Sequence, residues 1–312
     1  MKSYSDIRWF LSTLETTKNK IDRNENIGIL LAGLATDITE RIRNGETENN
    51  KVKDLMQDFE KMQQTNYESV KNGGLIGFSF GYKFLDEAIS GIRPPHYIVV
   101  KAGTNIGKSA FALNITSEAL NQGKKVVLFS LEMSKNQNIA RIIAMRTNKP
   151  PLEVESGNYI LSTEEIDEKA RIYDQRLTIY ENKLTINDII MTAQAENAEE
   201  KVDLFVIDYL QNIAIQGNRY DSFTDSSQKI QHLCKRLNTP FLVASQINKE
   251  GEARGSGDID NHSDFAVSLT QGEQYGFVEL MITKNRHGSK GSTELKYSNG
   301  GKLEEIENNY LN

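Results

Sequence analysis

Apolar positions divide the chain into two textures. Up to about residue 74 they recur at helical spacing: Ile7, Phe10, Leu11 and Leu14, then Leu30, Leu31, Leu34, Ile38 and Ile42. A third stripe joins Val52, Leu55, Met56, Phe59 and Met62. Asn44-Gly45 reads as a helix stop followed by a polar turn, and Asn72-Gly73-Gly74 as a domain boundary. The pattern predicts a small all-α N-terminal region, 1–74, with a last helix at about 51–71, and a larger domain at 75–312. The three stripes either pack on one another or leave the third to dock on a neighbouring subunit. Trp9 is expected to anchor the first helices.

Beyond residue 75 short β-rich runs alternate with longer amphipathic segments. YIVVK (97–101), KVVLFS (125–130), DLFVI (203–207) and PFLVA (240–244) are apolar throughout, as strands buried on both faces must be. Segments 107–121, 135–147, 185–198 and 222–238 supply helical crossovers. The fold class predicted is α/β, with a mostly parallel sheet covered by helices. The tail has strand runs at 263–270, 276–284 and 293–298 with no long helix between them, and is expected to add antiparallel strands at one edge.

Composition narrows the classes. With 312 residues the larger domain can bury a sizeable core. A single cysteine, Cys234, excludes an internal disulfide framework, fits a reducing, cytoplasmic setting and is expected in the core. No apolar run reaches membrane-span length, and the start is not expected to be a signal peptide. The net charge of −6 argues against a simple nucleic-acid coating protein, so contact with DNA must come from local basic loops. His96, His232, His262 and His287 lack metal-ligand spacing and are expected at the surface or in loops.

The chemistry centres on AGTNIGKSA: Ala102, Gly103, Thr104, Asn105, Ile106, Gly107, Lys108, Ser109 and Ala110. It follows a strand and opens a helix, the context in which a glycine-containing loop wraps its N–H groups around phosphate oxygens. Lys108 is expected to reach the β- and γ-phosphates of ATP, and the Ser109 hydroxyl to bind Mg²⁺. Asp208 ends the apolar run LFVID, which places a carboxylate at the sheet edge beside the nucleotide, as a holder of Mg²⁺ or its water shell. Glu132, in FSLEM, is placed to orient and deprotonate an attacking water, or to cap a helix in solvent. Gln246 ends FLVASQ and either senses the γ-phosphate or caps the strand.

Together these residues resemble the ATPase domain of the DnaB family of replicative helicases, a branch of the RecA-like fold. The resemblance runs from about Gly77 to Glu304. It passes through GFSFGYKFLDEAISG (77–91), AGTNIGKSAFALNI, FSLEM, IDYLQ (207–211), SQIN (245–248), RGSGDIDNHSD (254–264) and TKNRHG (283–288). It implies that Glu132 is the catalytic glutamate, Asp208 the Mg²⁺-associated carboxylate and Gln246 a coupling glutamine. Lys284 and Arg286 match the lysine and arginine finger that reach the nucleotide of an adjacent subunit; by composition alone their cluster reads as a solvated hairpin. The loops at about 214–227 and 248–258, with Arg219, Lys249 and Arg254, match those that hold single-stranded DNA in a ring channel. Asp221, Asp225, Glu250 and Glu252 oppose that charge, and the second loop is shorter than the family's.

The implied function is an ATP-dependent, hexameric DNA helicase moving 5′→3′. Implied partners are single-stranded DNA, further copies of the chain, and a helicase loader or primase. Residues 1–74 are shorter than the family's primase-binding collar, which suggests a compact phage or mobile-element form. The rival readings are a RecA-, RadA- or KaiC-like ATPase that does not unwind, and a non-enzymatic ring subunit that modulates a host helicase.

Overall fold

The computed structural model describes residues 52–71, 74–160, 162, 176–214, 219–247, 259, 261–286 and 288–306, with the backbone alone at 52–55 and 219–222. The stripes predicted before residue 50, Trp9, Asn44-Gly45 and the Asn72-Gly73 step lie outside the described residues, as do Lys249, Arg254 and the Arg219 side chain. The chain divides into two compact units, Met1–Glu68 and Ser69–Asn312. Helix α1, Val52–Lys71, leaves Met56, Phe59, Met62, Tyr67 and Val70 exposed.

The second unit begins with α2 (Lys83–Ile89) and then β1 (Tyr97–Ala102), α3 (Lys108–Asn121), β2 (Val126–Ser130) and α4 (Lys135–Thr147). It continues with α5 (Pro151–Glu155), β3 (Leu177–Tyr180), α6 (Ile186–Glu199), β4 (Leu204–Asp208), a 3-10 turn (Leu210–Asn212) and α7 (Arg219–Leu237). The remaining strands are β5 (Phe241–Gln246), β6 (Phe265–Gln271), β7 (Phe277–Asn285), β8 (Ser292–Tyr297) and β9 (Leu303–Glu305). They form one nine-stranded sheet in the order β3-β2-β4-β5-β1-β6-β7-β8-β9.

The period-2 geometry of a strand explains why every residue of the central runs is apolar. Ile98, Val100, Val126, Leu128, Leu204, Val206 and Leu242 fill one core layer. Their alternate neighbours Val99, Val127, Phe129, Phe205, Ile207, Phe241 and Val243 fill the layer on the opposite face. On that second face Phe241, Phe205, Phe129 and Tyr180 stack across four adjacent strands, with centroids 4.7, 6.4 and 5.6 Å apart. Helix α3 is buried nearly all round, which is why its apolar residues form no single stripe.

Two expectations need correction, and one strand was not predicted. Strand β6 pairs in parallel with β1, so only β7, β8 and β9 supply the antiparallel edge. An apolar pattern carries burial but no direction, so the run at 263–270 does not tell a parallel strand from a hairpin partner. The unpredicted strand is β3, four residues at the other edge, too short to stand out by periodicity. The second correction is that His96 is buried, because it enters the sheet directly before β1. Its carbonyl accepts from Phe241 N–H and its Nε2 accepts from Arg93 Nε at 3.1 Å. Cys234 is buried as expected, and burial pushes its thiol up to about 12. Among the described residues no helix is long and apolar enough to cross a membrane.

Candidate nucleotide site

Parallel strands deliver their C-terminal ends to one edge of the sheet, and the loops that leave this edge form the site. β1 ends at Ala102 and leads through Gly103–Gly107 into α3. Asn105 and Gly107 take positive φ, 63° and 111°, and so turn the loop back on itself. Phe111 N–H makes the first intrahelical bond, to Gly107 O at 2.8 Å. The N–H groups of Lys108, Ser109 and Ala110 therefore lack helical partners and, with the helix dipole, favour an anion. Nothing terminates this helix start with an acidic side chain.

Lys108 is buried although it carries charge. Desolvation lowers its pKa, while the charges of Asp208 and Glu132 oppose that shift. Its ammonium sits over the Tyr209 ring, 3.5 Å from the centroid. A cation held against a ring face is retained without a full hydrogen-bond shell, and so stays ready for phosphate oxygens.

Asp208 ends β4 beside Ser130 of β2 and is almost fully buried. Desolvation raises its pKa; the Ser109 hydroxyl and Lys108 pull the other way. Its Oδ1 is buried and has no hydrogen-bond partner. A buried carboxylate oxygen left over beside a P-loop serine is the donor that a hydrated Mg²⁺ would use. Among the described residues no group of three or more His, Cys, Asp or Glu could hold a metal. Ser109 and Asp208 thus fit an ion that takes its remaining ligands from phosphate and water.

Glu132 is exposed in the turn between β2 and α4, yet that turn is firmly fixed. Ser134 caps α4 in a capping box with Gln137. The buried Asn138 side chain donates to Ser130 Oγ at 2.8 Å, to Ser134 O at 2.8 Å and to Met133 O at 3.3 Å. Leu131 N–H donates to Asp208 O, and Asn212 donates to Leu131 O. The carboxylate of Glu132 therefore stands on a braced loop facing Lys108 and Ser109 across a cleft of about 410 Å³. Such a volume is in the range that takes a nucleotide-sized ligand.

Gln246 lines the same cleft, and its Nε2 donates to Thr104 Oγ1 in the phosphate loop at 2.7 Å. The side chain thus reaches the loop rather than closing the strand end. Arg141, Tyr297, Gly300 and Gly301 also line the cleft, and these were not singled out from the sequence. Tyr297 Oη donates to Ile106 O at 3.2 Å. Arg141 could have been noticed as a lone charge among Ile139, Ile142 and Ile143. Tyr297 and the glycines gave no signal, since only the return of β8 beside the loop brings them there.

Lys284 and Arg286 are not brought to this cleft. Ala266 pairs with Lys284 and Ile98 pairs with Phe265, so both cations lie at the sheet edge opposite the phosphate loop. Arg286 donates to Asp264 Oδ1 at 2.9 Å and to Asn261 O at 3.2 Å; Lys284 Nζ donates to Asn261 O at 3.1 Å.

A family profile for the DnaB-like helicase C-terminal domain matches residues 77–302. The chain belongs to that family. It is similar to a probable plasmid replicative DNA helicase of Chlamydia psittaci, 31% identical over 252 residues, covering 71% of this chain and 54% of the relative. Among solved structures it resembles an isolated ATPase domain, with a TM-score of 0.71, 20% identity, and coverage of 83% of this chain and all of that one. A DnaB-like replicative helicase, solved in a study of its interactions with primase, gives a TM-score of 0.75 at 18% identity, covering 98% of this chain and 77% of the other. The chain spans a little over half the length of the curated relatives it matches. The DnaB-like match lies wholly within the second unit and contains the P-loop, Glu132, Asp208 and Gln246.

Proposed function

We propose that this chain is the ATP-hydrolysing motor of a ring-forming replicative DNA helicase, built from a helical N-terminal region (1–74) and an ATPase domain (75–312). The observation that supports the reading is that Lys284 and Arg286 lie at the strand ends opposite the nucleotide cleft. Lys108, Ser109, Glu132 and Gln246 share that cleft, and Asp208 is buried beside Ser109 and Lys108. In this reading Lys108 and the α3 N–H groups bind the β- and γ-phosphates. Ser109 and Asp208 would hold Mg²⁺, which would supply charge neutralisation for the phosphates. Glu132 takes the proton of the attacking water, and Gln246 registers the γ-phosphate beside Thr104. Lys284 and Arg286 of an adjacent copy stabilise the charge that develops on the transferred group.

Single-stranded DNA is the proposed track, held by loops that carry Arg219, Lys249 and Arg254, with 5′→3′ movement and a hexamer as the assembly. A helicase loader or primase is the proposed further partner, and the bacterial or phage-infected cytoplasm the proposed setting. The test combines solution mass with turnover. The chain is weighed with and without a non-hydrolysable ATP analogue, and ATPase and forked-duplex unwinding are measured beside Glu132→Gln. A strict monomer in both conditions removes the shared site. Single-strand-stimulated hydrolysis without unwinding favours a RecA-like ATPase, and nucleotide binding without turnover favours a ring subunit that modulates another helicase. Equal turnover in Glu132→Gln and the parent removes Glu132 from its role.

A further inference from the structure

The backbone ladder between β4 and β5 stops early. Phe205, Val206 and Ile207 pair with Phe241, Leu242 and Val243, and the register goes no further. On its other side β5 stays paired with β1 to the end, Ala102 opposite Gln246. The last residues of β5 therefore present backbone polar groups to a side where no strand remains. Buried groups of that kind need partners.

One side chain supplies them. Gln211, in the 3-10 turn that follows β4, accepts from Gln246 N–H through Oε1 at 3.0 Å. Its Nε2 donates to Gln246 O at 3.0 Å and to the buried Ser245 Oγ at 2.9 Å. A primary amide has the same donor and acceptor pair as a peptide group, so Gln211 takes the place of a missing ladder residue.

Gln246 is consequently held on three sides. Its side chain reaches Thr104 of the phosphate loop, and its backbone is clamped by Gln211. The next residue, Ile247, donates to Ala102 O at 3.0 Å, where that loop begins. The 3-10 turn is itself tied onward: Ala214 N–H donates to Leu184 O, and Asn212 donates to Leu131 O next to Glu132. A displacement of Gln246 when phosphate engages Thr104 thus has a bonded route into the turn after β4 as well as along β5.

We propose that Gln211 is a coupling residue: its amide makes the end of β5 and the 3-10 turn after β4 move as one unit when the nucleotide cleft fills. It is a positioning residue and touches no reacting atom. The inference rests on the reading that the cleft takes a nucleoside triphosphate, and it extends that reading to how the state of the cleft leaves the site.

The test is hydrogen–deuterium exchange on the full chain, with and without ATPγS and Mg²⁺, followed in peptides covering 205–214 and 241–247. In the parent both segments are expected to change exchange rate on nucleotide addition. In Gln211→Ala the 241–247 response persists while the 205–214 response falls by about fivefold, the lower end of ordinary coupling strengths. Ser245→Ala removes one of the three bonds, leaves the pair to Gln246 intact, and is expected to keep both responses. Circular dichroism and ATPγS affinity check that each variant folds and binds.

Retention of both responses in Gln211→Ala overturns the proposal, and so does a parent whose 241–247 segment ignores bound nucleotide. Loss of ATPγS binding or of native structure in Gln211→Ala also overturns it, because the residue would then be needed for the fold or the cleft itself. If the parent binds ATPγS with both segments responding, but single-stranded DNA leaves turnover unchanged, the motor reading fails while the coupling stands. Where DNA does stimulate turnover, Gln211→Ala is expected to lower the stimulated-to-basal ratio about fivefold.

Discussion

Gly107 is the residue at which the phosphate loop is most exactingly specified, and Gly107→Ala tests why. A Cβ built there would lie 1.8 Å from Tyr297 Oη, 3.0 Å from Tyr297 Cζ and 3.6 Å from Leu303 Cδ1. The backbone at this position has φ 111° and ψ 17°, which a side chain resists even in open space. Holding alanine there costs about 1–3 kcal/mol. Making room means pushing the Tyr297 hydroxyl away from Ile106 O, a further ~1 kcal/mol for the lost hydrogen bond.

The backbone of Tyr297 cannot move away to clear the space, because β8 is paired on both sides by β7 and β9. The loop yields instead, and about 3 kcal/mol of distortion corresponds to roughly a hundredfold loss of nucleotide affinity. Displacement of a fluorescent ATP analogue measures it, with thermal melting to show that the fold survives. The double variant Gly107→Ala/Tyr297→Phe removes the 1.8 Å contact but keeps the 3.0 Å contact and the φ strain. It is expected to regain about tenfold relative to the single variant. A Gly107→Ala protein that binds within about twofold of the parent would refute the reasoning, since affinity follows directly from free energy. A double variant no tighter than the single would clear Tyr297 as the obstacle.

Three other outcomes follow from buried groups. Burial raises the Asp208 pKa, so between the ordinary carboxylate range and the folded value the native state binds the extra proton. Stability therefore falls as pH rises through that window, and the penalty is complete above it. Asp208→Asn is expected to raise the melting temperature of the nucleotide-free protein at neutral pH, by less as the buffer is acidified, while abolishing Mg²⁺-dependent turnover; a lowered melting temperature would contradict this. The sole cysteine, Cys234, has its thiol pushed up to about 12 and is buried. A thiol reagent should react at least about a hundredfold faster after denaturation than before, as few native thiols are ionised; a native rate equal to the unfolded one would place Cys234 outside the core. Asp264 pairs with Arg286 through Oδ1, and its Oδ2 accepts from Tyr97 N–H at 3.0 Å. Asp264→Asn keeps an oxygen for Tyr97 and loses only an ion pair whose arginine is partly exposed to solvent, about 1 kcal/mol or less. Asp264→Ala strands the N–H and should cost about 1–3 kcal/mol in urea unfolding. Equal losses would mean that the Tyr97 bond carries nothing.

Much of the site was legible because its chemistry is written at strand ends. LFVID and FLVASQ announce where buried strands meet polar residues, and the phosphate loop constrains its own sequence through its turn and helix start. The sheet's interior was legible for a related reason, since β1, β2, β4 and β5 are covered on both faces and so admit almost only apolar residues. What escaped depends on contacts between distant segments. Tyr297 lies far along the chain from Ile106, and nothing local marks it as part of the cleft. Gln211 is an ordinary polar residue until the early end of the β4–β5 ladder gives its amide a task. The direction of β6 follows from pairing with β1, which a one-dimensional pattern does not encode. His96 does lie in a loop, but one step before Tyr97 opens β1, which buries it.

The placement of Lys284 and Arg286 at the far sheet edge bears on how copies can join. A patch and its complement on opposite sides of one molecule make a head-to-tail contact, which no two-fold pair can satisfy. In the proposed reading, where the cleft takes Lys284 and Arg286 from a neighbour, any open row of copies ends with one cleft lacking cations and one pair of cations lacking a cleft. Only a closed circle leaves neither end wanting. For a site completed in trans, closure is thus a condition for full activity of every copy, and the same geometry would let one defective member silence the cleft of its neighbour while leaving its own untouched.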